Sequence, residues 1–408
     1  MEFYTFTLPN GIRCIHTQTD RPVGHCGLVI DAGSRDELES EAGLAHFIEH
    51  TLFKGTRKRK TFHILSRLDS VGGEINAFTS KEETWIYGSF MTQHYERAIE
   101  LIADISFNSV FPEKELIKEK EVILDEIASY QDSPGEMIFD EFEEMLFHGH
   151  PLGRNILGTE DSVRSFTRED VFRFLKRQYT AERMVFSSVS NHTPAQIRRL
   201  AEKHLCQHEV STGTAPRQPF QPNGQQHRSA PKSQYQFHHV MGSLGYANDD
   251  PRKTGLILLN NYLGGPGMNS RLNLEVREKH GYTYNIESHY TAFSDTGLIE
   301  IYLGTDKRHF EKSRKLVLKE LKALRTKKLG PTQLHNAKQQ LIGQIALAQE
   351  SGSGIMMALG KSLLMYDRVD GLEEVFRKIQ GVSAAELQDI ANEVFDEARL
   401  SSLTYVNQ

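Results

Sequence analysis

The sequence is poor in cysteine and lacks a long apolar run. Its 408 residues include only three cysteines, Cys14, Cys26 and Cys206, which are scattered and lack Cys-x-x-Cys spacing. This pattern excludes a disulfide framework, fits a reducing compartment and leaves histidine and carboxylate side chains as the candidate metal ligands. No segment approaches the roughly 18 apolar residues of a transmembrane helix, so we expect no membrane span.

The first residues also lack the features of a secretory signal. Met1–Pro9 contains neither a basic segment nor an apolar core, which predicts a cytoplasmic protein. The formal net charge of −6 leaves no excess of basic residues to neutralise the phosphates of nucleic acid. We therefore expect no nucleic acid partner, whereas a preference for basic peptides is compatible with this charge.

The composition is that of a soluble globular protein, with 38% hydrophobic and 25% charged residues. A chain of 408 residues is too long for one small core, so two domains of about 200 residues each are expected. Residues 211–231 are rich in Gln, Pro, Ser and Gly, which is typical of a linker. The sequence thus predicts an N-terminal domain over residues 1–210 and a C-terminal domain over residues 232–408.

A candidate metal motif lies in the segment Gly43–Gly55. It contains His46-x-x-Glu49-His50, the reverse of the H-E-x-x-H zinc motif. Four residues apart on a helix, His46 and His50 share one face and can hold one tetrahedral metal ion, with Glu49 on the same side. The opposite side collects the apolar residues Leu44, Phe47, Ile48 and Leu52. The alternative is a helix whose histidines are ordinary core or surface groups. We interpret the basic loop that follows, Lys54–Lys60, as a solvated turn.

A third ligand is expected on the helix predicted to begin after Pro112. On a helical wheel Glu126 lies beside Glu119 at the edge of the apolar face, whereas Glu121 and Asp125 point to solvent. A carboxylate that faces inward without a partner is unfavourable. A metal ion would be the partner of Glu126, and the free N–H of a ligating histidine would be the partner of Glu119. Two semi-buried carboxylates bonded to ordinary donors are the alternative.

A β-hairpin is predicted over residues 72–90. Its first strand includes Asn76, Ala77, Phe78 and Thr79, and the turn follows at Ser80–Glu83. Two interpretations of this strand remain open. It is either an ordinary member of an antiparallel sheet or an exposed edge to which an extended peptide adds a strand.

The second half of the sequence repeats the first. Residues 281–304 repeat the hairpin pattern of residues 72–90, and a helix follows in both halves. Overlaying the later helices places Gln344, a much weaker zinc ligand, where the first half has Glu126. The region Leu256–Leu263 has no H-x-x-E-H motif. The repeat predicts an α+β fold of two duplicated domains, each a mostly antiparallel sheet packed with helices, with metal chemistry only in the first.

The sequence resembles the pitrilysin family of inverzincin zinc metallopeptidases, in the single-subunit branch that is similar to mitochondrial processing peptidase. The segments that carry the resemblance are Gly43–Gly55, Gly72–Thr79, Val122–Ile127 and Leu263–Leu272. The resemblance implies a metalloprotease, a hydrolase of peptide bonds, with one Zn²⁺ per chain. It implies zinc ligation by His46, His50 and Glu126, water activation by Glu49 and support of the site by Glu119.

The resemblance also implies residues that contact the substrate. Arg277 and Tyr284 match a pair that holds substrate and steadies the tetrahedral intermediate, and Asn76–Thr79 matches the strand along which the peptide lies. In the family this pair reaches a zinc site in the opposite half of a clam-shell, which implies a homodimer with a closed chamber for unfolded or short peptides. A non-catalytic core-type or peptide-binding subunit of the same fold is the alternative. A metal hydrolase of another class is disfavoured, because Asp-rich or Cys-containing ligand sets are absent.

Overall fold

The computed structural model of the protein describes residues 2–207, 213, 216–232 and 235–407. The chain divides into two compact units that are not continuous in sequence. Unit 1 comprises residues 1–128, 154–217 and 348–370, and unit 2 comprises residues 129–153, 218–347 and 371–408.

The secondary-structure elements are numbered in chain order. The strands are β1 (Tyr4–Thr7), β2 (Arg13–Gln18), β3 (Val23–Ile30), β4 (Glu74–Thr79), β5 (Thr84–Met91), β6 (Met184–Ser190), β7 (His227–Lys232), β8 (Phe237–Gly245), β9 (Thr283–Ala292), β10 (Gly297–Thr305) and β11 (Ser401–Asn407). The α-helices are α1 (Leu44–Thr51), α2 (Thr61–Asp69), α3 (Tyr95–Asn108), α4 (Glu113–Gln131), α5 (Pro134–Leu146), α6 (Glu160–Ser165), α7 (Arg168–Gln178), α8 (Pro194–Leu205), α9 (Lys253–Gly264), α10 (Lys307–Thr326), α11 (Pro331–Ala348), α12 (Gly352–Tyr366), α13 (Leu372–Gly381) and α14 (Ala384–Val394). In the described residues, no helix combines the length and the apolar character that crossing a membrane requires.

Unit 1 is built on one sheet, in which the described strands follow the order β1-β2-β6-β3-β5-β4. Neighbouring strands are antiparallel except for β2 and β6. Successive side chains of a strand point to opposite faces, and both faces of β3 are covered. Cys26, Leu28 and Ile30 belong to the core that includes α3, whereas Val29 belongs to the core that includes α12. The strand is therefore buried on both sides.

Unit 2 is built on a second sheet, in which the described strands follow the order β7-β11-β8-β10-β9. Only the pair β7 and β11 is parallel among its neighbouring strands. Helices α9, α10 and α14 contribute to one core of the unit, and α5 contributes to another core against β8, β10 and β11. The predicted fold class is confirmed, because each unit is a mostly antiparallel sheet packed with helices.

Two helices lie outside the units that the predicted domain boundaries assign to them. Helix α5 falls within residues 1–210 of the sequence but belongs to unit 2, and α12 falls within residues 232–408 but belongs to unit 1. Each helix belongs to the unit whose core buries its apolar side chains. Ile138 and Phe142 of α5 pack with Leu403, whereas Ile355 and Met356 of α12 pack in the core of unit 1. Apart from these helices, the predicted division stays a prediction.

The predicted linker, residues 211–231, is wrong at its C-terminal end. Residues 227–231 are part of β7, an edge strand that pairs in parallel with β11. The side chains of β7 are exposed or half-buried, so the strand has no apolar alternation that a sequence pattern could reveal. Residues 211–212 and 214–215 of the predicted linker lie outside the described residues.

Candidate metal centre

The helix that carries the H-x-x-E-H motif is held at its N-terminus by a buried carboxyl group. Glu37 accepts hydrogen bonds from the backbone N–H groups of Gly43 (3.0 Å) and Ala45 (2.8 Å). Two N–H groups that the helix itself leaves unpaired are thereby satisfied. Gly43 has φ of +92°, and a Cβ atom there would lie 2.6 Å from the carbonyl oxygen of Leu157. Burial raises the pKa of Glu37 to about 8, although the two backbone bonds oppose this rise.

The helix divides into a buried apolar side and a polar side, as the sequence predicts. Leu44, Phe47 and Ile48 are fully buried in the core of unit 1. On the other side the imidazole rings of His46 and His50 lie with their centroids 4.5 Å apart and their planes at 62°. The four-residue spacing thus brings the two rings together.

Glu126 of α4 completes a group of three candidate ligands. Its Oε2 atom lies 3.8 Å from Nε2 of His46 and 3.6 Å from Nε2 of His50. In the part of the chain that the structure describes, the three ligand atoms lie within 4.8 Å of one another. Ligands of a tetrahedral zinc ion lie about 3.3 Å apart, so these side chains are close to the separation that a shared ion requires.

The chemistry of this metal-ligand group (His46, His50 and Glu126) fits zinc. Imidazole nitrogen and carboxylate oxygen are both common zinc ligands. Burial, aided by the proximity of His50, lowers the pKa of His46 to about 4, so its ring is neutral at pH 7 and has a lone pair for a metal ion. The atoms that face one another are too far apart for direct hydrogen bonds. An ion between them would supply the missing partner.

Glu119 lies behind this group. Its Oε1 atom is 3.1 Å from Nδ1 of His50, and its Oε2 atom is 2.6 Å from Nζ of Lys54. Burial alone would raise the pKa of Glu119, but the bonds to His50 and Lys54 lower it below its ordinary value. The carboxylate is therefore ionised at pH 7 and fixes the ring of His50 with Nε2 towards Glu126. The helical wheel placed Glu119 and Glu126 on the correct side of α4, and Glu121 and Asp125 are exposed.

Glu49, on α1, contacts Thr79 of the strand β4. Burial raises the pKa of Glu49 above its ordinary value, and contacts with Thr79 and His50 oppose the rise. Thr79 is the last residue of β4, which is an edge strand among the described strands. Asn76 is exposed on this strand, and its Oδ1 accepts a hydrogen bond of 2.9 Å from the N–H of Ala77. Phe78 is half-buried.

Arg277 and Tyr284 lie in unit 2 and line the same cavity of about 470 Å³. Arg277 lies on a π-helical turn, Asn273–Glu278, and Tyr284 lies on β9, where 88% of its surface is exposed. In the described part of unit 2 no group comparable to the metal-ligand group occurs. Gln344, on α11, is half-buried. The structure therefore brings the predicted residues together as two sets, one in each unit.

Glu37 and Lys54 were missed by the sequence analysis. A signal for the first was available, because Gly43 has no side chain to cap the helix and a distant acceptor is then needed. The sequence offers Glu37, Glu39 and Glu41 as candidates without a means of choosing among them. Lys54 belongs to a basic loop in which no residue is distinguished by spacing.

The sequence of this chain is similar to those of a peptidase family and of several named proteins. Residues 14–160 match the family described as insulinase (peptidase family M16), and residues 165–341 match the peptidase M16 inactive domain. The uncharacterized zinc protease YmxG of Bacillus subtilis is 32% identical over 394 residues, which cover 96% of this chain and 95% of that protein. An uncharacterized zinc protease of Streptomyces coelicolor is 33% identical over 398 residues, with 95% and 86% covered.

Two solved structures have the same fold. A protease from Helicobacter pylori has a TM-score of 0.94 at 21% identity, with 99% of both chains covered. A Pseudomonas fluorescens protein described as a peptidase M16 inactive domain has a TM-score of 0.92 at 21% identity, with 100% of this chain and 99% of that chain covered. The resemblance to the pitrilysin family is confirmed by these findings. The chain, matched over nearly its whole length, belongs to peptidase family M16, the insulinase family.

Proposed function

We propose that the protein is a zinc-dependent endopeptidase that hydrolyses unfolded or short peptides. The observation that carries the proposal is that the ligand atoms of His46, His50 and Glu126 lie within 4.8 Å of one another. Glu49 lies on the same helix as the two histidines, α1. Relatives that share about a third of their residues with this chain are named zinc proteases. The donor set, two imidazole nitrogens and one carboxylate oxygen, supports zinc with an open position for chemistry.

Each residue of the group has a separate task in this proposal. His46, His50 and Glu126 would hold one zinc ion per chain, and that ion would supply the Lewis acidity that lowers the pKa of a water molecule towards about 7. Glu49 accepts the proton of the attacking water and then donates it to the departing amine nitrogen. Glu119 keeps the ring of His50 in one orientation through the N–H at Nδ1, which leaves Nε2 as the ligand atom.

The peptide binds along Asn76–Thr79 in the proposed mechanism. The edge position of β4 supports this assignment, because an edge strand has backbone groups free to pair with an extended chain. The N–H of Ala77 is bonded to Oδ1 of Asn76, and a substrate carbonyl would replace that amide as the acceptor. Backbone pairing provides affinity, and selectivity comes from pockets for the substrate side chains.

We further propose that the enzyme is a homodimer in which each site is completed by the second subunit. Arg277 would donate a hydrogen bond to a peptide carbonyl, and the hydroxyl of Tyr284 would face the developing oxyanion. Their shared cavity and the exposure of Tyr284 support a role in contact with another molecule. A closed chamber formed by two such chains would exclude folded proteins.

Digestion of a peptide library, read by mass spectrometry, tests the proposed activity. We expect cleavage that a chelator abolishes and that added Zn²⁺ restores. Glu49→Gln is the matched control, because it removes the base and leaves the metal-ligand group (His46, His50 and Glu126) intact. Its zinc content should stay near that of the wild type while cleavage is lost. Cleavage that persists in the chelator, or in Glu49→Gln, would contradict the proposal.

The alternative is a non-catalytic, peptide-binding subunit of the same fold. It predicts peptide binding without cleavage in the wild-type chain.

Subunit exchange tests the homodimer separately. Glu49→Gln and Arg277→Ala chains, each inactive alone, should regain part of the activity when mixed, because mixed dimers contain one complete site. Mixtures that exchange subunits and remain inactive would disprove the shared site.

A further inference from the structure

The turn that connects β4 to β5 is made of charged residues that are buried. Lys81, Glu82 and Glu83 follow one another in the sequence, and all three side chains are buried. Lys and Glu are rarely buried in proteins unless they are paired, and connecting segments ordinarily lie at the surface. The burial of this charged turn (Lys81, Glu82 and Glu83) therefore requires partners from other parts of unit 1.

The first and last residues of the charged turn pair with segments that are distant in the sequence. Nζ of Lys81 donates a hydrogen bond of 2.7 Å to the backbone oxygen of Arg154. The carboxylate of Glu83 pairs with the ammonium group of Lys361 on α12. Both partners belong to unit 1. The turn is thus held at each end by a contact that its own hairpin does not provide.

Glu82, in the middle of the charged turn, is held by two arginines. Nη1 of Arg35 lies 2.7 Å from its Oε1 atom. Nη2 of Arg217 donates a hydrogen bond of 2.9 Å to its backbone oxygen. The guanidinium of Arg217 also donates to the carboxylate of Asp36, through Nε at 3.1 Å and through Nη2 at 3.0 Å. Arg217 therefore joins the turn to the segment that follows β3.

Backbone contacts join the same two segments. The N–H of Ser34 donates a hydrogen bond of 3.1 Å to the carbonyl oxygen of Ser80. Gly33 permits this close approach, because a Cβ atom there would lie 2.2 Å from the same oxygen. Oδ2 of Asp36 also accepts a hydrogen bond of 3.0 Å from the N–H of Gly33. Arg217 thus supports the turn both directly and through Asp36.

The charged turn follows the end of the strand that we propose as the peptide-binding strand. Among the described strands, β4 pairs only with β5. A strand with a single neighbour has fewer backbone hydrogen bonds to keep it ordered, so anchors at its ends matter more. Thr79, the last residue of β4, also contacts Glu49, the proposed base. The turn therefore anchors the end of β4 that lies nearest to this base.

We propose that Arg217 is a positioning residue for β4. This role rests on the proposed function, in which the peptide pairs with β4. Arg217 holds the charged turn and the turn holds the strand, so that the strand is ordered before the substrate binds. A loosened strand would have to be ordered on binding, which weakens the apparent affinity for the peptide. Because this effect precedes the chemical step, it raises KM and leaves kcat nearly unchanged.

Hydrogen exchange of the full chain supplied with zinc, read by mass spectrometry, tests the anchor without requiring activity. We expect the amides of residues 74–83 to exchange about tenfold faster in Arg217→Ala than in the wild type. Arg59→Ala is the matched control. Arg59 also pairs with two carboxylates, those of Glu100 and Asp104, and its side chain is 15% exposed, compared with 14% for Arg217. Exchange of residues 74–83 should stay near the wild-type rate in this control.

Arg217→Lys serves if Arg217→Ala is misfolded, because it keeps the charge and most of the side chain. An ammonium group lacks the planar fork that bonds Glu82 and Asp36 together. Exchange of residues 74–83 should therefore still be severalfold faster than in the wild type.

Peptide cleavage separates positioning from a general loss of folded protein. Arg217→Ala should raise KM by about fivefold or more and leave kcat nearly unchanged. A variant that only loses folded enzyme would instead have a lower apparent kcat and an unchanged KM.

The proposal is overturned if exchange of residues 74–83 is the same in Arg217→Ala and in the wild type, if Arg59→Ala accelerates it equally, or if KM does not change. A wild-type chain that cleaves no peptide would contradict the proposed function. In that case the exchange rates would still decide whether Arg217 anchors β4.

Discussion

The carboxylate of Glu119 lies 3.1 Å from Nδ1 of His50, while Nε2 of the same ring lies 3.6 Å from Glu126. One imidazole thus connects a supporting carboxylate to a candidate ligand. Removing such a support typically reduces metal affinity by about 10–100-fold. We therefore expect Glu119→Gln to bind zinc about 10–100-fold more weakly, as measured by competition with a calibrated chelator.

Glu121→Gln is the control for this measurement, because Glu121 lies on the same helix with an exposed side chain. It should retain the affinity of the wild type. Equal affinities for all three proteins would mean that the hydrogen bond between Glu119 and His50 has no influence on the metal.

The choice of Glu126 over its neighbour Asp125 leads to a second prediction. Glu126→Gln should lose zinc on dialysis, because an amide oxygen is a far weaker zinc ligand than a carboxylate, whereas Asp125→Asn should retain it. Zinc per chain, measured by mass spectrometry of the metal, distinguishes the two. Loss of zinc from Asp125→Asn alone would show that the helical wheel selected the wrong carboxylate.

The bonds from Glu37 to the start of α1 predict a stability effect. Glu37→Ala leaves the N–H groups of Gly43 and Ala45 without acceptors in a buried position, at a loss of about 1–3 kcal/mol for each buried unsatisfied group. Urea denaturation should report a lower free energy of unfolding. Glu39→Ala, at an exposed residue of the same segment, should be nearly neutral. If the two variants are equally stable, Glu37 does not hold the helix.

A buried histidine of unit 2 predicts a pH dependence. His239 bonds to Oγ1 of Thr404 through Nδ1 (2.7 Å), its Nε2 is buried without a partner, and burial lowers its pKa to about 3. Its folded-state pKa is below the unfolded value of about 6.5. The unfolded chain therefore binds the additional proton below pH 6.5, and stability is lost as pH falls from about 6.5 towards 3, by up to about 1.4 kcal/mol per unit.

His239→Leu should remove this part of the pH dependence, so that the variant loses roughly 2 kcal/mol less stability than the wild type between pH 7 and pH 5. Urea denaturation at both pH values measures the difference. His335→Gln, at an exposed histidine, should follow the wild type. A wild-type profile in His239→Leu would exclude His239 as the titrating group.

The sequence predicted what depends on local periodicity. The helical spacing of His46 and His50, the apolar stripe of α1 and the inward side of α4 at Glu126 all follow from 3.6 residues per turn, and the structure has them. The hairpins follow from alternation and turn residues. These features require no knowledge of how distant segments meet.

What the sequence analysis missed depends on distant contacts. Helix α12 is rich in apolar residues, and nothing in its own sequence pattern indicates that it covers β3 and β6. Strand β7 is held by backbone pairing with β11, without apolar side chains to mark it. Glu37 caps a helix that begins several residues later, with two other glutamates in between.

The position of α12 has a consequence for biosynthesis. Synthesis proceeds from the N-terminus at about 5–20 residues per second, and all strands of the sheet in unit 1 are complete once Ser190 has been made. The apolar surface around Val29 and Trp85 nevertheless lacks its cover until Ile355 and Met356 emerge. One face of the sheet that supports the metal-ligand group (His46, His50 and Glu126) therefore stays uncovered on the ribosome while residues 191–355 are made. Its vulnerability to aggregation is set by the time needed to make the intervening residues.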